Sequence, residues 1–173
     1  VKHELTSGEY GQRRRQCEQA CRDLGVASLR DATMDLLQSS RPQMDEAVFR
    51  RARHVITENA RTRRAAEAIA SGAWPEVGRL MLDSHASLRD DYEVSCQELD
   101  LLVELTQAHQ AAGHVIGCRM TGGGFGGFVV ALVKQDAVHE VAEDVAGKYE
   151  ARTGIEPGLY VTRPAAGARV LEV

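Results

Sequence analysis

The sequence predicts an α+β fold, an antiparallel sheet with a helical layer that includes a long helix hairpin, on three observations. Up to about residue 110 the apolar residues recur at helical spacing. From His114 the pattern changes to short apolar runs, His114–Met120 and Phe128–Val133, split by five glycines within residues 122–127. No β-α-β alternation runs through the chain, which argues against a parallel sheet built by crossovers.

The elements follow in order. Residues 1–7 alternate like a strand. Ser7 then opens a helix whose apolar stripe is Tyr10, Cys17, Ala20, Cys21 and Leu24, stopped by Gly25. Ser28-Leu-Arg-Asp31 has the capping-box pattern and predicts a short helix to about Leu37, broken by Ser39-Ser-Arg-Pro42. A long helix is predicted from about Asp45 to Ala70, with Phe49, Ala52, Val55, Ile56, Asn59, Ala60, Ala66 and Ile69 inward. Gly72 ends it. Trp74-Pro75 starts the next helix, with Val77, Leu80, Met81, Leu88 and Tyr92 as its stripe, and the short break between the two predicts an antiparallel hairpin. A further helix covers about 97–110 through Leu99, Leu102, Val103 and Thr106. After the two strands, residues 136–152 read as a helix with Val138, Val141, Val145 and Tyr149 inward. Gly158–Thr162 and Ala168–Val173 read as closing strands around a turn at Pro164 and Gly167.

At 173 residues the chain is long enough for one ordinary core, and residues 1–173 read as a single domain. A net charge of −4 supplies no field for nucleic acid or an anionic membrane. No apolar run reaches the roughly 18 residues of a membrane span. The basic runs Arg13–Arg15, Arg50-Arg51-x-Arg53 and Arg61-x-Arg63-Arg64 lie on predicted helices among Glu46, Glu58 and Glu67, and read as solvated faces. Cys17, Cys21, Cys96 and Cys118 form no disulfide framework and no metal-ligand pattern, so they read as small buried thiols in a reducing, cytoplasmic setting. The chain opens at Val1 without a methionine, which predicts a fragment of a longer chain.

The candidate site centres on Arg119-Met-Thr-Gly-Gly-Gly-Phe-Gly-Gly127. Clustered glycine costs conformational entropy, so it belongs where backbone must take positive φ or approach a ligand closely. Gly122-Gly-Gly-Phe-Gly-Gly127 fits G-x-G-x-x-G by letter, but a strand follows it where a dinucleotide site requires a helix. Arg119 at the entrance reads as a phosphate contact or as a clamp on a carboxylate. Tyr10 reads as a core-edge residue or as a hydroxyl for a polar substrate. His85, Arg89, Asp90 and Asp91 share one helix, but adjacent acids there point about 100° apart, so they read as salt-bridging or loop-anchoring groups and carry no catalytic role.

The glycine stretch is similar to the third, C-terminal glycine motif of the GHMP small-molecule kinases, in the form used by galactokinases. Ser7-Gly-Glu-Tyr10 with Arg13-Arg-Arg-Gln-Cys17, and Ser84-His-Ala-Ser-Leu-Arg-Asp-Asp-Tyr-Glu-Val-Ser95, resemble further segments of the same family in the same order. The resemblance implies a GHMP kinase C-terminal domain with a ferredoxin-like core. The whole enzyme would use ATP and Mg²⁺ to phosphorylate the anomeric hydroxyl of galactose. It implies a sugar contact for Tyr10 and an active-site loop of Arg119, Thr121, Gly122, Gly123, Gly124, Gly126 and Gly127, with neither a catalytic residue nor a metal ligand in this chain. ATP and Mg²⁺ would be held mainly by an N-terminal domain of the same chain, whose sugar and nucleotide motifs do not occur here, so this chain alone is expected to be inactive. Phe128 departs from the small residue or Cys usual in the family, which bears on local packing. A sibling N-acetylhexosamine kinase, a non-catalytic galactose/ATP sensor and a stand-alone interaction module are the alternatives.

Overall fold

The computed structural model describes residues 7–165 and 167. Six α-helices and two strands follow in the order α1 (Ser7–Leu24), α2 (Met34–Ser40), α3 (Glu46–Ala70), α4 (Trp74–Asp90), α5 (Gln97–Gln107), β1 (Val115–Thr121), β2 (Phe128–Val133) and α6 (Val138–Thr153). Short 3₁₀ turns precede α3, β1 and α6. The α+β class stands: β1 and β2 are antiparallel, and α3 and α4 form the long hairpin, joined by residues 71–73.

Why these residues form these elements is legible at their ends. Asp45 caps α3 by accepting from the amides of Ala47 and Val48 at 2.9 and 3.1 Å. Pro75 sits in the first turn of α4, where no intrahelical amide is needed. Gly154 ends α6 in the left-handed conformation at φ 70°. The cap of α2 differs from expectation. Ser28 closes a turn instead, its Oγ accepting from Arg30 N, and Thr33 caps α2 by accepting from Leu36 N at 3.2 Å. Leu29 and Ala32 are buried in the core beside α3 from the turn that precedes α2.

Three apolar clusters hold the layers together. Ala20, Leu24, Leu37, Phe49, Ala52 and Ile56 join α1, α2 and α3. Leu105, Val115, Val141, Val145 and Tyr149 join α5, β1 and α6. Val94, Leu99 and Met120 form a smaller cluster with Phe125 and Val129 packed against it, directly beneath the glycine loop. Strand β1 lies between α4 and α5 and carries both. Contact with α4 is close because Gly78 meets Gly117: a Cβ on Gly117 would lie 2.6 Å from Gly78 Cα. Pairing shifts between Val115 and Gly117, a bulge at Ile116 whose carbonyl accepts from Gln110 Nε2 at 2.8 Å.

Several faces depart from the periodicity. Helix α3 outruns its core, so Ala60, Ala66 and Ile69 are exposed while Val48, His54 and Ala68 are buried. Tyr10 leaves the α1 stripe for solvent and Arg13 takes the buried line with Ala20 and Leu24. Strand β2 forms from the continuous apolar run Phe128–Val133 as expected, but Phe128 and Val130 on it are exposed. Residues 158–162 form no strand. Tyr160 meets Phe128 edge-on at 6.1 Å, but the segment makes side-chain contact with β2 without the backbone ladder that a strand requires. The strands expected over 1–7 and 168–173 lie outside the described residues, apart from Ser7, which opens α1.

Candidate functional site

The glycine loop is built from its stem outward. Met120 is fully buried and fixes the end of β1, while its amide donates to His85 Nδ1 at 3.4 Å. Burial pushes the His85 imidazole below its ordinary pKa, and Nε2 stands 3.2 Å from Asp100 Oδ1 without a well-aligned hydrogen bond. Gly122, Gly124, Gly126 and Gly127 all take positive φ, and Phe125 does so at 58°. A non-glycine residue in that region is uncommon. Here it is held by a hydrogen bond from Phe125 N to Val94 O at 2.7 Å and by packing of the ring on the Val94 cluster. Gly124 is where bare backbone is required: a Cβ there would run into Val94 O and lie 2.6 Å from Val94 Cβ. Gly122, Gly123 and Gly127 stay exposed, as does Thr121.

What receives the loop is the turn after α4. Glu93 takes φ 53° and turns Val94 toward the loop. Four arginines hold this turn, three of them through the carbonyls that end the helix. Arg50 donates to Asp90 O at 3.2 Å, Arg51 to Asp91 O at 2.5 Å, and Arg13 to Tyr92 O and Glu93 O at 2.6 and 2.7 Å. Arg53 pairs with the Asp91 carboxylate. Cationic donors at a helix C-terminus meet both its unpaired carbonyls and its dipole. The basic runs are therefore not all solvated faces: Arg51 is 2% exposed and Arg13 9%. Expecting Asp91 to anchor a loop, and no acid pair with Asp90, agrees with the structure, because Asp90 turns to Arg89.

Tyr10 sits one turn before Arg13, 70% exposed, at the rim of a 360 Å³ groove lined by Cys17, Cys21, Val55 and Tyr92. The Arg13 guanidinium lies 5.7 Å from the Phe125 ring. Thus Tyr10 and the loop, 112 positions apart from Tyr10 to Gly122, are fixed to the same turn. Burial raises the Tyr92 hydroxyl to about 12, and its oxygen lies 3.8 Å from Cys17 Sγ. All four cysteines are free.

Arg119 takes the carboxylate reading. Its Nη1 meets Glu58 Oε1 at 3.2 Å, and Glu58 also accepts from Ser84 at 2.5 Å and Arg61 at 2.7 Å. Burial is the largest single influence on Glu58 and works against its charge, but Ser84, Arg61 and Arg119 together hold its pKa below the usual range. Glu58 was recognisable only as a helix charge; its position facing β1 depends on the hairpin. Arg13, Glu93 and Val94 lie in segments that resemble the family, but their roles in seating the loop exist only once α1, α4 and the loop meet.

A positive-φ glycine loop between two antiparallel strands, seated on the end of a helix hairpin, defines the class. Residues 65–151 match the family described as GHMP kinases C terminal, and the chain belongs to that family. Among solved structures it is similar to the galactokinase of Lactococcus lactis complexed with galactose. The TM-score is 0.84 and the identity 35%, over 90% of this chain and 41% of that chain. The chain therefore spans well under half the length of that enzyme. Among the described residues no helix is long and apolar enough to cross a membrane.

Proposed function

We propose that this chain is the C-terminal domain of a galactokinase. The whole protein transfers the γ-phosphoryl group of ATP to the anomeric hydroxyl of galactose, with Mg²⁺, in the cytoplasm. One observation carries the reading: the turn at residues 91–94 holds both the helix that presents Tyr10 and the glycine loop. In this reading the Tyr10 hydroxyl hydrogen-bonds the sugar, and the exposed backbone of Gly122, Gly123 and Gly127, with Thr121, lines the floor of the active site. Arg119 positions the loop stem through Glu58. The likeness to a galactokinase complexed with galactose supports the choice of sugar.

The acids around the loop do not fit a Mg²⁺ site. Glu93 is engaged by Arg50 and Arg51, Asp91 by Arg53, and Asp100 by Ser95. Hard cations need free oxygen ligands, so the metal and most of the nucleotide belong to an N-terminal domain of the same protein. The exposed apolar surface of Phe128, Val130, Tyr160 and Val161 supports a docked partner of that kind.

ADP release measured side by side for the full-length protein and this chain, over a panel of sugars, tests the proposal. Galactose turnover by the long form alone is expected. Turnover confined to an N-acetylated hexosamine would move the assignment to a sibling kinase, and sugar binding without turnover would make the protein a sensor. ADP release by this chain alone would refute the division of labour.

A further inference from the structure

At the end of β1 away from the glycine loop, the connection from α5 gathers imidazoles against α6. His109 stands on the turn Ala108–Gln110, His114 directly precedes β1, and Glu140 and Asp144 lie one turn apart on α6. One ligand atom from each of His109, His114 and Glu140 lies within 4.8 Å of the others. His114 Nδ1 is 3.5 Å from Glu140 Oε1. A tetrahedral ion bonded at about 2.0–2.1 Å sets its ligand atoms about 3.4 Å apart. That pair already has the separation, and the remaining contacts close with movements of about an ångström.

Two further features point to an ion. His114 Nδ1 is shut off from solvent and makes no hydrogen bond, a state buried polar atoms seldom keep. Asp144 Oδ2 lies 2.9 Å from His109 Nε2 and is itself held by Lys148 at 2.7 Å. It stands as the acid that orients His109. Two imidazoles with a carboxylate suit Zn²⁺ and its first-row neighbours, whereas Mg²⁺ and Ca²⁺ prefer all-oxygen sets.

We propose that His109, His114 and Glu140 form a binding site for a divalent transition-metal ion such as Zn²⁺. It lies at the opposite end of the seven-residue β1 from the glycine loop, about 20 Å away. The ion ties the α5–β1 connection to the first turn of α6 and closes the end of the Val115–Val141 core. Its role is structural.

The test uses untagged full-length protein, with Zn²⁺ followed by calorimetry, Co²⁺ by its visible absorption, and the melting temperature with and without Zn²⁺. The wild type is expected to take up one equivalent through these residues and to melt higher with Zn²⁺. His109→Ala, His114→Ala and Glu140→Gln each weaken binding by about 10-fold or more. Glu140 is largely exposed, so Glu140→Gln keeps the fold and remains decisive if a histidine variant does not. His139→Ala, at an exposed neighbour on α6, leaves binding unchanged. No stoichiometric uptake by the wild type, or uptake equal in Glu140→Gln and the wild type, overturns the site. Galactose turnover by the wild type without added metal other than Mg²⁺ does not bear on the outcome, so failure here is distinct from failure of the kinase proposal.

Discussion

Replacing Gly124 by alanine sets the backbone of the glycine loop against the turn that carries it. Gly124 has φ +85°, where an L side chain costs about 1–2 kcal/mol. The added Cβ would also meet Val94 Cβ at 2.6 Å and overlap Val94 O, and neither neighbour is the free end of a flexible side chain. Relief requires the loop to lift, which breaks the 2.7 Å hydrogen bond from Phe125 N to Val94 O, worth about 1 kcal/mol net. The total is about 2–3 kcal/mol, divided between destabilised protein and a displaced loop. Gly123→Ala is the matched control, since its Cβ meets nothing within 4 Å and its φ is not positive. Urea unfolding and sugar-dependent ADP release by the full-length protein read the two components. Gly124→Ala should lower stability by about 2 kcal/mol or cut turnover by about 30-fold or more, with Gly123→Ala near wild type in stability. Equal behaviour of the two variants in both assays would refute the seating of the loop on Val94.

Three further outcomes are expected. Arg51→Met removes a guanidinium that serves Gln16, Asp91 O and Glu93 from a buried position; it should cost about 3 kcal/mol in urea unfolding, because charge and carbonyls lose their partner together, and a loss under about 0.5 kcal/mol would make the clamp ornamental. His54 is held neutral, burial bringing its pKa from 6.5 to about 4. The unfolded chain then binds the proton more readily, so stability falls as pH drops from 6.5 toward 4, by about 3 kcal/mol at most. A stability–pH curve for His54→Gln as steep as the wild type over that window would contradict this. Tyr10→Phe should raise the KM for galactose by about 2- to 12-fold, the range of one neutral hydrogen bond, with no change in the urea midpoint because the side chain is exposed; an unchanged KM removes Tyr10 from the sugar site.

Elements with local causes were legible from the residues alone. Asp45, Pro75 and Gly72 mark helix ends because capping and φ preference act within a few residues, and the run from Arg119 to Gly127 marks a backbone-exposing loop because only glycine accepts such φ values at low cost. Its likeness to the GHMP kinases lay in the same local segments. Tertiary structure decided the rest. Which helical arginines are buried depends on the α4 C-terminus that meets them, so Arg13 and Arg51 read as surface charge until Tyr92 O arrives from 79 positions away and Asp91 O and Glu93 from 40 and 42. Ile69 satisfied the α3 stripe, yet in the last turn it is Ala68 that the fold buries while Ile69 stays half exposed. Residues 158–162 carry the residue types of a strand, but residue type supplies only the side-chain half of a sheet. The ladder needs a partner backbone in register, and that is a property of the assembled fold.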